Sequence, residues 1–179
     1  MCGIALILGK KSNTTNLHKM LDVMDYRGPD NRGVLKCQDG VMGHVRLSII
    51  DLDKRSNQPF IYKGWSMVFN GEIYNYLELK NFLINEHDLS FTTESDTEVL
   101  LKGFILLKEN FLIKIRGAFA VCVNKGNEYF IFRDTFGMLP LYFFREKFTK
   151  TIFKVLLGLN LVYISIFVYH LWGLVFLLL

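Results

Sequence analysis

A cysteine at position 2, directly after Met1, is the first residue whose place as well as its type could do chemistry. Removal of Met1, which a small second residue permits, would leave a thiol and a free α-amine on one residue. The unperturbed α-amino pKa is about 7.7–8.0, so the amine is partly neutral at cellular pH and can take the thiol proton directly or through one water. Nucleophile and base then arrive together. On position alone a cysteine without function is the simpler reading, and the weight must come from the rest of the chain.

Asn70-Gly71-Glu72-Ile73-Tyr74-Asn75 sets a carboxamide beside a glycine just after the apolar run Met67 to Phe69. Attack on an acyl group builds a negative oxygen that needs donors already in place, and an asparagine side-chain N–H with a glycine backbone N–H is one sufficient pair. An Asn-Gly hairpin turn is the competing reading, because that dipeptide readily adopts positive φ. Arg46, in His44-Val45-Arg46-Leu47-Ser48-Ile49-Ile50-Asp51, is a cation in an otherwise apolar strand. Its guanidinium can hold the α-carboxylate of an amino acid through two parallel hydrogen bonds, or simply reach solvent from a sheet edge. Asp96, in the first turn of an expected helix, suits the helix dipole and could also pair with a substrate ammonium group.

These groups need elements to hold them. Cys2 to Leu8 is a continuous apolar run closed by Gly9, which fits a buried strand beginning at the terminus. Leu17, Met20, Leu21 and Met24 fall on one face of a helix that starts near Asn13 and must stop before Gly28-Pro29. Strands are expected around Val45 to Ile50 and Met67 to Phe69, and a helix from Tyr76 to about Asn85. Ser95-Asp96-Thr97-Glu98 fits the S-x-x-E capping box, in which Ser95 accepts the Glu98 N–H and the Glu98 carboxylate reaches back to the Ser95 N–H. Ala118 to Val123 and Glu128 to Phe132 flank the turn residues Asn124 to Asn127 and read as a hairpin, followed by a strand at Leu141 to Phe144. The order is α+β rather than a βαβ series.

A length of 179 residues suits one ordinary domain and not two large ones. Lys+Arg 21 against Asp+Glu 17 gives a formal charge of +4 with no long basic run, which sets nucleic acid aside as a partner. Cys2, Cys37 and Cys122 form no CxxC pair and have no histidine at ligand spacing, so neither a disulfide framework nor a metal site is expected. No basic segment leads into an apolar run at the start, and residues 1–154 read as cytoplasmic.

Together, Met-Cys-Gly-Ile at 1–4, Arg-Gly-Pro-Asp at 27–30, Arg-Leu-Ser-Ile-Ile-Asp at 46–51, Asn-Gly-Glu-Ile-Tyr-Asn at 70–75, Ser-Asp-Thr-Glu-Val-Leu-Leu at 95–101 and Arg-Asp-Thr-Phe-Gly-Met-Leu-Pro-Leu-Tyr at 133–142 resemble the amino-terminal glutaminase domain of glutamine-hydrolysing asparagine synthetases. The resemblance implies a four-layer αββα sandwich of the N-terminal-nucleophile hydrolase type over residues 2–145. It implies Cys2 as nucleophile, Asn70 and Gly71 as oxyanion hole, Arg46 at the glutamine α-carboxylate, and Glu72 and Asp96 as further substrate-binding residues, Asp96 at the α-ammonium group. Arg27, Asp30, Arg133 and Asp134 match motif positions of structural role. The glutaminase reaction would need no metal or organic cofactor; ATP and magnesium would belong to a synthetase domain, whose Ser-Gly-Gly-x-Asp-Ser loop is absent from this sequence.

The resemblance stops soon after Tyr142. From Val155 to Leu179 no residue is charged, and only Gly158, Asn160, Ser165, His170 and Gly173 interrupt the apolar run. Residues 146–179 are therefore expected to be an apolar, helical tail foreign to the family. As a helix, residues 155–179 would span about 37 Å, enough to cross a membrane behind Arg145, Lys147, Lys150 and Lys154. The competing readings are an active glutaminase, alone or supplying a separate synthetase domain, and an inactive truncated, frameshifted or membrane-anchored fragment.

Overall fold

Gly3–Leu8 forms β1, a strand buried along its whole length. The computed structural model of the chain describes residues 1–9, 12–144, 153–156 and 174–177. The β1 run lacks polar alternation because both its faces are covered: Ile4, Leu6 and Leu8 pack on one side with Met42, Val68 and Ile131, while Ala5 and Ile7 pack on the other with Leu17 and Leu21. Those two leucines belong to α1 (Thr14–Met24), where Asn13 caps the first turn by accepting the Asn16 N–H at 2.8 Å. The helix gives way to a tight turn at Asp25–Arg27, ahead of Gly28 as expected.

β2 (Asn31–Cys37) and β3 (Gly40–Arg46) complete the described near half of this sheet, β3 running antiparallel to both β1 and β2. β2 has no counterpart in the sequence reading, since Asn-Arg-Gly-Val-Leu-Lys-Cys shows neither an apolar run nor clean alternation. β3 ends at Arg46, and Leu47 to Ile50 leave the sheet instead of extending it.

The second sheet is built on β4 (Phe60–Tyr62), β5 (Trp65–Ile73), β6 (Gly117–Lys125) and β7 (Glu128–Arg133), each antiparallel to the next. β6 and β7 are the expected hairpin. α2 (Tyr76–His87), α3 (Asp96–Leu107) and the short α4 (Glu109–Leu112) cover its outer face, with Leu79, Leu83, Leu100, Phe104 and Phe111 packed on Phe69, Val121 and Phe132. The sheets meet face to face through Ile4, Leu6, Val68, Cys122 and Ile131. The chain is thus α+β with two stacked sheets, α1 outside one and α2–α4 outside the other.

β8 (Tyr142–Phe144), β9 (Phe153–Leu156) and β10 (Leu174–Leu177) finish the two sheets, whose orders are β2-β3-β1-β10-β8 and β4-β5-β6-β7-β9. Two stretches of the tail expected to be helical are therefore strands, β10 lying beside β1 and β9 parallel to β7. The rest of that tail, with the expected boundary at 145/146, lies outside the described residues. Among the described residues no helix is long and apolar enough to cross a membrane.

Asn70-Gly71 is not a turn. Both residues lie inside β5, paired with Ala120 and Phe119 of β6. Gly71 has φ +139, and a Cβ there would lie 2.1 Å from the Ala118 carbonyl oxygen. Conformation and close approach both demand glycine. Gly71→Ala is expected to destabilise the domain by about 2–3 kcal/mol, read as a lowered urea midpoint at unchanged slope.

Candidate active site

A cavity of about 210 Å³ opens where the start of β1, the end of β3, the second half of β5 and the start of α3 converge. Cys2, Arg46, Asn70, Gly71, Glu72 and Asp96 all line it. Every site residue expected from the sequence is therefore in one place, drawn from four separated stretches of chain.

Cys2 sits just ahead of β1, and the Gly3↔Val45 pairing carries it alongside Arg46 and Leu47. Its Sγ lies 3.6 Å from the Leu47 carbonyl and accepts the Leu47 N–H at 3.4 Å. Arg27 Nε donates to the Cys2 carbonyl at 3.1 Å, so the arginine of the 27–30 motif anchors the Cys2 backbone. Burial pushes the Cys2 thiol up, against the lowering effect of the Leu47 N–H. At neutral pH the group is a thiol, and a base must ionise it.

Asn70 is 1% exposed, and its Oδ1 is buried without a hydrogen-bond partner among the described residues. Glu72 is exposed at the cavity rim. Asp96 is 6% exposed; its Oδ2 accepts the Ile73 N–H at 3.1 Å. Burial raises the Asp96 pKa to about 6, with Glu72 adding like-charge repulsion and the N–H groups of Ile73 and Thr97 opposing the rise. A buried carboxylate this poorly compensated is short of a cation.

Arg46 is less free than its place in a strand suggests. Nη1 donates to Asn57 Oδ1 at 2.7 Å and to the Asp53 carbonyl at 3.2 Å, while Nη2 donates to the carbonyls of Ile50 and Asp51. The loop after β3 is wound around the guanidinium, which also answers the edge-strand alternative: at 5% exposed the side chain does not reach solvent.

The start of α3 also differs from the expected box. Ser95 caps Thr97 at 3.1 Å, whereas the Glu98 carboxylate bypasses Ser95 and takes the N–H groups of Thr92 and Thr93 and both threonine hydroxyls. Lys102, one turn on, closes the cluster at 2.6 Å from Glu98 Oε1. Two threonines just upstream offer the carboxylate more donors than one serine N–H could. The 92–94 segment so fixed is tied to the Arg46 loop, Glu94 N–H donating to Asp51 Oδ2 at 2.8 Å.

Gln58, Leu47, Ser95 and Thr97 also line the cavity and were not expected there. Gln58 carries no sequence signal, being a polar residue in a turn-like Asn-Gln-Pro stretch that nothing marks as 6% exposed. Asp134 and Asp30 show the structural roles their motifs imply: Asp134 accepts the N–H groups of Phe119, Met138 and Leu139, and Asp30 accepts that of Ser48 at 2.6 Å. Among the described residues no group of three or more His, Cys, Asp or Glu is arranged to hold a metal ion.

Two stacked sheets with helices outside both define the class of fold. Its fold matches glutamine phosphoribosylpyrophosphate amidotransferase from Bacillus subtilis, with a TM-score of 0.70 at 22% identity over 79% of this chain and 39% of that one. Residues 1–156 match the family model described as glutamine amidotransferase domain, and the chain belongs to that family. Asparagine synthetase [glutamine-hydrolyzing] 1 of Bacillus subtilis is 37% identical over 153 residues, covering 80% of this chain and 24% of the relative. A putative asparagine synthetase of Methanocaldococcus jannaschii is 34% identical over 168 residues, covering 80% of this chain and 32% of the relative. The chain thus spans a third or less of the length of these curated relatives.

Proposed function

We propose that the domain hydrolyses the side-chain amide of glutamine to glutamate and ammonia, with Cys2 as nucleophile. The observation that carries this reading is the convergence of Cys2, Asn70, Gly71 and Asp96 on one cavity. The layering of helix, two sheets and helices supports the αββα N-terminal-nucleophile form of the fold. In that form Met1 is removed, and the new α-amine takes the proton that the raised thiol pKa would otherwise retain. The thiolate attacks the amide carbon, Asn70 Nδ2–H and Gly71 N–H hold the developing oxyanion, and ammonia leaves with a proton returned from the α-ammonium. Water then cleaves the γ-glutamyl thioester by the same route. Asp96 holds the substrate's α-ammonium and Arg46 its α-carboxylate, with Glu72 closing the rim. The relatives are named as glutamine-hydrolysing asparagine synthetases, and the ammonia's acceptor is proposed to be aspartate in a synthetase domain.

A glutamine analogue with an electrophilic side chain should add one equivalent at Cys2 of a chain lacking Met1, which intact-mass spectrometry and peptide mapping read directly. Retained Met1 in folded protein, or labelling at Cys37 or Cys122, would sink the assignment. Asn70→Ala should lower kcat by about 10²-fold with little change in KM, because its donor acts on charge that exists only in the transition state. Arg46→Lys should chiefly raise KM. If the folded fraction of Asn70→Ala keeps its kcat, Asn70 is no oxyanion donor.

A further inference from the structure

Alternate residues of a strand direct their N–H groups to the same edge, so Phe69, Gly71 and Ile73 all address the side of β5 away from β6. β4 covers that edge only as far as its Phe60↔Met67 pair. Beyond it, side chains take over. Phe69 N–H donates to Gln58 Oε1 at 2.6 Å, and Ile73 N–H donates to Asp96 Oδ2 at 3.1 Å. Gly71 lies between them. Phe119, opposite Gly71 on β6, directs its N–H and its carbonyl to Asp134 at 3.2 and 2.9 Å, so it leaves the Gly71 N–H no ladder partner. The edge therefore carries three N–H groups in a row, the outer two held by buried side chains and the middle one belonging to a residue that lines the cavity.

We infer that Gln58 is a positioning residue for the oxyanion hole: by holding the Phe69 N–H it fixes the stretch of β5 that aims the Gly71 N–H. This rests on reading the cavity as the glutaminase site. Phe69 is held at both ends of its backbone, because His44 Nε2 lies 3.1 Å from the Phe69 carbonyl. A carbonyl only accepts, so Nε2 carries the proton; burial lowers the His44 pKa to about 3, and the ring stays neutral in that role. Gln58 in turn is steadied from α3, its Nε2 lying 3.4 Å from Thr97 Oγ1. Asp96 already has a role toward substrate, whereas Gln58, which also lines the cavity, is assigned its role through the Phe69 N–H that it holds.

Gln58→Met keeps the bulk and removes the acceptor. Per Cys2 site titrated with the electrophilic glutamine analogue, kcat should fall on the order of 10- to 100-fold, with KM within threefold. Alkylation of Cys2 by iodoacetamide, which forms no oxyanion, should keep its rate within twofold. Unchanged kcat per site overturns the inference, and so does a parallel fall in the alkylation rate, which would mark a general loosening of the cavity. Amide hydrogen exchange on the same pair of proteins separates this from the function itself. The Phe69 amide should be protected in the parent chain and exchange at least tenfold faster in Gln58→Met, even should the parent hydrolyse no glutamine; equal protection overturns the clamp.

Discussion

Replacing Cys2 with alanine is expected to lower the kcat for glutamine hydrolysis by about 10⁴-fold or more while leaving glutamine affinity within a few-fold of the parent. The size follows from what is lost. On the proposed mechanism the thiol supplies the covalent route, and the α-amine freed by loss of Met1 would have no other proton donor on that residue to activate. Alanine is small enough for Met1 still to be removed, so the amine, the oxyanion donors and Asp96 all persist. What remains is binding and electrostatics without a nucleophile, so the variant should hold glutamine and turn it over scarcely at all. Steady-state glutamate release and calorimetric glutamine titration report the two quantities separately. Cys37→Ala is the matched control and should keep its kcat, since Cys37 packs beside the inter-sheet core and is absent from the cavity lining. Should Cys2→Ala retain a tenth of parental kcat, the nucleophile lies elsewhere.

How much of this was legible in the sequence depended on whether a residue announced its own environment. β1, α1, α3 and the β6/β7 hairpin were readable because an unbroken apolar run, a one-face apolar stripe, a serine cap at Ser95 and an Asn-Lys-Gly-Asn turn each reflect local physics. The cavity members Cys2, Arg46, Asn70, Gly71, Glu72 and Asp96 were readable as types suited to a chemistry, and the motif resemblance supplied their grouping. β2 was not, because its burial comes from pairing with β3 and the near approach of the Gln58–Pro59 segment. Nor was Gln58, whose partners Phe69 and Thr97 lie 11 and 39 positions away. Asn-Gly was ambiguous for a sound reason: positive φ is needed in a hairpin turn and also at Gly71 within β5, and only the Ala118 carbonyl pressed against Gly71 distinguishes the two. Arg46 lines the cavity, but its engagement by the 50–57 loop depends on carbonyls, which composition does not encode.

Asp96→Asn should stabilise the domain at neutral pH and nearly abolish glutamine binding, two opposite effects from one substitution. The native Asp96 pKa of about 6 lies above the unfolded value of about 3.9. Between those values the native state binds the extra proton, so this group's contribution to stability is full below about pH 4 and is lost as pH rises through 6. At pH 7.5 the parent carries an ionised carboxylate that is 6% exposed, while asparagine is neutral and its Oδ1 can still accept the Ile73 N–H. A shift of this size corresponds to about 2–3 kcal/mol, or a Tm rise of about 5–10 °C at pH 7.5 that shrinks to about a third of that by pH 4.5. Binding runs the other way. On the proposed reading the substrate's α-ammonium supplies the missing cation, and removing the carboxylate would leave that charge buried and unpaired, which should raise KM by about 10³-fold. Because only ionised Asp96 pairs with the ammonium, glutamine binding to the parent should release a proton near pH 6, and kcat/KM should fall about tenfold per pH unit below it. The asparagine variant should lose that dependence on Asp96. Tm across pH 4.5–7.5 and kcat/KM across pH 5–8, measured on both proteins, test the linkage. A variant less stable at pH 7.5 with parental KM would show that Asp96 serves the Ile73 backbone and nothing more.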